Sequence, residues 1–215
     1  METLSIEQLH RFESIGDNCE FAFFLRKLGN DNGTLLRWAL IKDYHYLVKM
    51  IQSDFIELYS LNNLVPSWQD MVLDKQYHIC FHTEMYSDIH NGEWAWRYTE
   101  SENKIIYQNE KNKIDYLVKK FKESIENNNK IFVIKKNNND IDDVVKSLAD
   151  EFKKKGNSKI LYVKSNLNNV PLGEVIKKQD NLLIASIDKF APYDQANNFS
   201  EVTWKKIINN ALAIL

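Results

Sequence analysis

The chain has 215 residues, of which 44% are hydrophobic and 27% charged, the balance of a protein that folds around one core. Twenty-eight basic residues against 30 acidic ones leave a net charge of −2, which argues against an obligate nucleic-acid binder or a strongly cationic membrane-surface protein. Two cysteines are too few for a disulfide-dense secreted scaffold and poor material for a structural zinc site.

The opening Met1 to Glu7 has neither a basic region nor an apolar core of the signal-peptide kind, and no apolar run reaches the ~18 residues of a membrane span. The expectation is a cytoplasmic protein with reduced thiols and no membrane span. Arg11 to Ile15 reads as a short strand, Gly16-Asp17-Asn18 as a tight turn, and Cys19 to Leu28 as a helix burying Phe21, Phe24, Leu25 and Leu28. Asp17 and Glu20 suit an N-cap and its capping box. A helix rich in aromatics and Met follows around Tyr44 to Tyr59. Tyr77 to Glu84 alternates like a strand, which puts His78, Cys80, His82 and Glu84 on one face. Residues 86–109 are irregular and polar-aromatic, either a lid or inserted loop or an extra hairpin with Trp94 and Trp96 on one face.

The second half is more regular. Ile114, Leu117, Val118, Phe121 and Ile125 form one helical face. The Asn127–Asn129 run ends it, and Lys130 to Lys135 reads as a buried strand. After Asn137–Asn139, Asp140 is a good N-cap for a helix whose inner face is Ile141, Val144, Val145, Leu148 and Phe152. Gly156 closes that helix, Lys159 to Val163 and Leu182 to Ile187 read as strands, and Ser200 caps a final helix facing inward through Trp204, Ile207, Ile208, Ala211, Leu212 and Leu215. Such alternation predicts a single α/β domain over 1–215, an open, mainly parallel sheet flanked by helices.

Cys19 lies at a helix start, where unpaired N–H groups and the helix dipole favour thiolate over thiol, although Asp17 and Glu20 work against this. The alternative is a small buried hydrophobe. His82 is the candidate base or imidazolium partner. A metal site is disfavoured, because His78 and His82 are roughly 13 Å apart along an extended strand, and no metal is expected. Gly16 stands alone in its turn, without a Gly-rich phosphate motif, and no cofactor is expected.

The segment Phe12-Glu13-Ser14-Ile15-Gly16-Asp17-Asn18-Cys19-Glu20-Phe21, followed by Arg26-Lys27-Leu28-Gly29, Leu35-Leu36-Arg37-Trp38 and Asp74 through His82, resembles an uncharacterised bacterial family of papain-like cysteine peptidases. Beyond residue 110 the likeness is the helix–strand alternation and Ile187-Asp188-Lys189-Phe190-Ala191-Pro192. Its members are often associated with surface polysaccharide synthesis, and many carry Asp before the Trp, where this chain has Arg37. The resemblance implies Cys19 as nucleophile, His82 as its partner and Trp38 at the site. Asp17, Asn18, Arg37, Asp74 and His78 are further candidates for supporting or substrate-binding roles. Asp74, Asp88 and Asn91 are the candidates for orienting His82. A papain-like α+β fold is the alternative architecture. The strand–turn–helix at Gly16-Asp17-Asn18-Cys19 instead suits the carboxyl edge of an α/β sheet.

Three functions follow: a Cys–His hydrolase or acyltransferase acting on a small-molecule or glycan-linked substrate; a sugar or nucleotide-sugar binding protein using Arg37, Trp38, Trp94, Trp96 and Tyr98; or a non-catalytic interaction module.

Overall fold

The computed structural model describes residues 4–165 and 167–214. In chain order the elements are α1 (Ile6–His10), β1 (Phe12–Ser14), α2 (Glu20–Lys27), β2 (Leu40–Ile41), α3 (Tyr44–Gln52), β3 (Leu64–Trp68), β4 (Met71–Asp74), β5 (Ile79–His82), β6 (Ser87–His90), β7 (Glu93–Trp96), α4 (Glu100–Glu126), β8 (Ile131–Lys135), α5 (Asp142–Lys155), β9 (Lys159–Ser165), β10 (Val175–Gln179), β11 (Leu182–Ile187) and α6 (Glu201–Ile214).

The main sheet has strand order β1-β8-β9-β11-β10 and is parallel except for β10, which pairs antiparallel with β11. Every residue of β8 is buried, as expected of a parallel strand covered on both faces. One face carries Phe12, Val133, Leu161, Val163 and Leu183 against α2 and α6, with Trp204 wholly enclosed. The other carries Phe132, Ile134 and Ile160 against α3, α4 and α5. Phe132 stands edge-on to Phe152 at 4.8 Å and to Phe121 at 5.2 Å, which ties the inner faces of α5 and α4 to the sheet.

A second sheet, β2-β5-β4-β3, is antiparallel throughout. Alternation splits its residues: Val72, Ile79 and Phe81 join the core beside α3 and α4, whereas Leu40, Met71 and His82 point the other way. This sheet is the feature that sequence reading did not foresee. The predicted architecture, a mainly parallel sheet flanked by helices, is present, and the antiparallel sheet is built from the chain between β1 and β8.

Several local expectations are corrected. The helix predicted to reach Tyr59 stops at Gln52, because Asp54, Phe55, Glu57 and Tyr59 take positive φ in a tightly turning segment. The strand predicted from Tyr77 starts at Ile79, since His78 has φ +52. Within residues 86–109, Ser87 pairs with Trp96 and Ile89 with Trp94 in the β6–β7 hairpin, and the rest of the segment is a short connection and the first turns of α4. Thr99 and Glu102 form the capping box that starts α4, well before the apolar face at Ile114. Asp140 precedes the cap position, held by Ile141, yet its Oδ1 accepts from the Asp142 N–H at 3.0 Å.

Gly16 turns the chain out of β1. Its φ is +87, and a Cβ there would lie 2.7 Å from Ile41 Cδ1, so conformation and space both require glycine.

Candidate functional site

The loops after β1, β8 and β11 meet at the carboxyl edge of the parallel sheet, the usual crevice of an open α/β sheet. Asp17 is fully buried there. Its carboxylate accepts from Lys136 Nζ at 2.7 Å, from the Tyr193 hydroxyl at 2.8 Å and from the Asn137 N–H at 3.3 Å. Glu20, equally buried, accepts from Trp204 Nε1 at 2.9 Å, the Ala191 N–H at 3.0 Å and Lys135 Nζ at 3.0 Å. Asp17 and Glu20 therefore do not cap α2. They are the acidic half of a buried network whose basic half, Lys135 and Lys136, arrives at the end of β8 and just beyond it. The role expected of Asp17 falls to its neighbours: Cys19 occupies the cap position, and Asn18 Oδ1 accepts from the Glu20 N–H at 3.0 Å. Asn18 is 5% exposed, and its Nδ2 has no hydrogen-bond partner among the described residues.

On top of this floor sits a cleft of about 480 Å³. Cys19, Asn18 and Phe23 form one side, Leu40, Trp68, Met71 and His82 of the antiparallel sheet the other, and Trp38 together with Tyr193, Asp194 and Asn197 complete the rim. Trp38 is fixed by Phe23, edge-on at 5.3 Å, and by the Arg26 guanidinium 4.2 Å over its ring. The Cys19 thiol lies 3.9 Å from the Trp38 carbonyl oxygen. No hydrogen bond joins Cys19 to His82 among the described residues, although both face the same cleft. His82 Nδ1 is instead 3.1 Å from Asp70 Oδ2. Both members of that pair are about half exposed, so it fixes ring orientation more than it contributes stability.

The electrostatics reverse one expectation. Burial pushes the Cys19 thiol above its ordinary value, and the Asp70 carboxylate adds to this, outweighing the opposing Lys135 and Arg26 cations. Burial of the thiol thus works against the thiolate that a helix start favours.

Besides Asp17 in the floor, three further expected site residues lie outside the cleft lining. Arg37 is 2% exposed, and its guanidinium donates to the carbonyls of Asn32, Ala22 and Asn30, fastening the loop after α2 to the helix. Asp74 is buried and accepts from the backbone N–H groups of Tyr59, Gln76 and Tyr77, shaping the β4–β5 turn and anchoring the irregular segment after α3. His78 is stacked on Tyr46 at 4.0 Å. Asp88 forms a pair with Arg97 on the hairpin, so neither it nor Asp74 orients His82. Cys80 is fully buried, its thiol 3.7 Å from Ser67 Oγ. Trp94, Trp96 and Tyr98, expected as part of a sugar-recognition surface with Trp38, do not line the cleft.

Sequence reading missed Asp70, Trp68, Met71 and Tyr193. The signal for Asp70 is the β4–β5 register: Met71 pairs with His82, which brings the preceding residue beside the imidazole. Among the described residues, no three His, Cys, Asp or Glu side chains gather in the manner of a metal site, and no helix is long and apolar enough to cross a membrane. No family model, curated protein or solved structure matches the chain.

Proposed function

We propose that the protein is a thiol-dependent hydrolase or acyltransferase in which Cys19 is the nucleophile, His82 the general base and Asp70 the residue that positions His82. The observation that carries this reading is the shared cleft. A thiol at a helix start and an imidazole with a carboxylate on its far nitrogen open onto one water-accessible space large enough for a small substrate. The resemblance of the Cys19 segment to papain-like bacterial proteins agrees with it, as does the place of the site at the carboxyl edge of a parallel sheet.

The chemistry follows from the geometry. The resting thiol is protonated, so activation falls to the complex, where substrate draws His82 Nε2 toward Sγ; catalytic hydrogen bonds are often loose before substrate binds. Nδ1 faces Asp70, so the tautomer with its proton on Nδ1 leaves Nε2 free to accept. Sγ adds to a carbonyl carbon, and the thiol proton moves through His82 to the leaving group. The developing oxyanion needs donors, and Asn18 at the cleft lining is the candidate: its amide is oriented through Oδ1, and its Nδ2, itself buried, has no protein partner to lose when substrate reaches it.

The test is iodoacetamide labelling and ester turnover in the intact protein. Labelling of Cys19 should be slow at neutral pH and accelerate in the alkaline range, and Cys19→Ser should abolish turnover. Full turnover in Cys19→Ser would end the thiol reading.

The aromatic pair Trp38 and Trp68, with Asn197 and Asp194 at the rim, favours a second reading as a neutral-sugar binding protein of polysaccharide assembly. Quenching of tryptophan fluorescence by neutral oligosaccharides, unaffected by Cys19→Ser, is the result that supports it.

A further inference from the structure

The lining of the cleft says what kind of acyl group fits it. Phe23, Trp38, Leu40, Trp68 and Met71 make most of the wall, and none of the described lining residues is Lys or Arg. Arg26, the cation lying over Trp38, is committed to that ring and to Asp31 Oδ1 at 3.0 Å. Lys135 and Lys136 are spent on Glu20 and Asp17 beneath the floor. A phosphate or carboxylate entering the cleft would lose its hydration and meet no free cation, with Asp194 and Asp70 carrying the wrong sign nearby. An aliphatic or arylalkyl chain would instead exchange water for aromatic and thioether contacts. The polar groups that remain, Asn18, Cys19 and His82, are the ones a carbonyl needs at its reacting end.

We infer that the cleft accepts the uncharged, apolar acyl chain of an ester or thioester, with the carbonyl at Cys19 and the chain against Trp68 and Met71. The inference rests on the thiol reading above and names its substrate class. In the step itself, Sγ bonds to the carbonyl carbon, the carbon–oxygen or carbon–sulfur bond to the leaving group breaks, and the thiol proton leaves with that group through His82. Water then adds to the acyl-enzyme, giving its proton to His82, and the carboxylic acid departs as the thiol is restored.

The experiment is a series of p-nitrophenyl esters from acetate through butyrate and hexanoate to octanoate, with the hemisuccinate ester as an anionic chain of comparable length, each corrected for spontaneous hydrolysis. Each added methylene should raise kcat/KM by up to about fourfold until the cleft is filled, and the hemisuccinate should fall well below butyrate. Trp68→Ala, at a half-exposed position, should flatten the dependence on chain length. Intact mass should show one acyl group on wild type and none on Cys19→Ser. A flat or falling series, or a hemisuccinate turned over as fast as butyrate, with turnover still lost in Cys19→Ser, would overturn the apolar-acyl assignment and leave the thiol reading standing. Turnover unchanged in Cys19→Ser across the series would overturn both.

Discussion

Glu13 lies on β1 with 2% of its surface exposed, and burial pushes its carboxyl up from an ordinary 4.5 to about 7, against the pull of Lys130, Lys120 and Arg37. Its Oε1 has no hydrogen-bond partner among the described residues. The unfolded chain therefore gives up this proton near pH 4.5, while the folded chain keeps it until about pH 7. Between those values the folded state binds more protons, so stability falls as pH rises, by about 1.4 kcal/mol for each pH unit. The whole window amounts to about 3 kcal/mol, complete at pH 8 and absent below pH 4. Glu13→Gln removes the ionisation and keeps the shape. Urea unfolding at pH 4.5, 6 and 8 should give midpoints for the variant that match wild type at the lowest pH and exceed it by roughly 1–2 M at the highest, with a urea slope of about 2 kcal/mol per M left unchanged. Parallel pH curves for the two proteins, or a variant weaker than wild type at pH 8, would refute the reasoning.

Other perturbations act on the cleft and its floor. His82→Gln should lower ester turnover by about 10²–10⁴-fold with little change in KM. Asp70→Asn should lower it less, and it should also speed iodoacetamide labelling of Cys19, because a negative charge that holds the thiol up is gone; slower labelling would contradict that charge effect. Asn18→Asp keeps the acceptor for the Glu20 N–H but replaces the free donor, and a loss of about 10²–10³-fold in kcat is expected from steady-state kinetics. Lys135→Met leaves the Glu20 carboxylate buried without its cation and should cost about 3–5 kcal/mol in urea unfolding. A loss below 1 kcal/mol would mean that the Trp204 and Ala191 N–H groups suffice.

What the sequence disclosed follows from how local each signal is. β8, β9 and β11 are short apolar runs, and the inner faces of α5 and α6 repeat at helical spacing, so the parallel sheet and its helices were legible. β10 was not: on this edge strand Ile176, Lys177 and Lys178 are exposed, and nothing in the pattern asks for a partner. β3 contains Pro66 and β2 only two residues, so the antiparallel sheet emerges from pairing rather than periodicity. The same distinction runs through the site. Cys19 and His82 stand out by residue type, and Trp38 by its motif. Asp17 looks like a cap because capping is local chemistry, whereas the lysine that claims it comes from the far side of the chain. Asp70 pairs with His82 through a strand register that only the folded sheet defines.

The adjacency of β1 and β8 also bears on the order in which the molecule assembles. Phe12 sits beside Ile131, so the strand that delivers Cys19 docks only after a loop of roughly 120 residues has closed. That closure carries an entropic cost of about 4 kcal/mol beyond a fixed term. The β8–α5–β9 unit is local and can form early, as can the hairpins of the antiparallel sheet. Loop closure therefore predicts that β1 docks late, and with it the cleft, whose one wall is the turn and helix that follow β1 and whose other wall includes β5. Truncated or partly folded chains would thus hold a compact half-sheet while the thiol and imidazole remain apart.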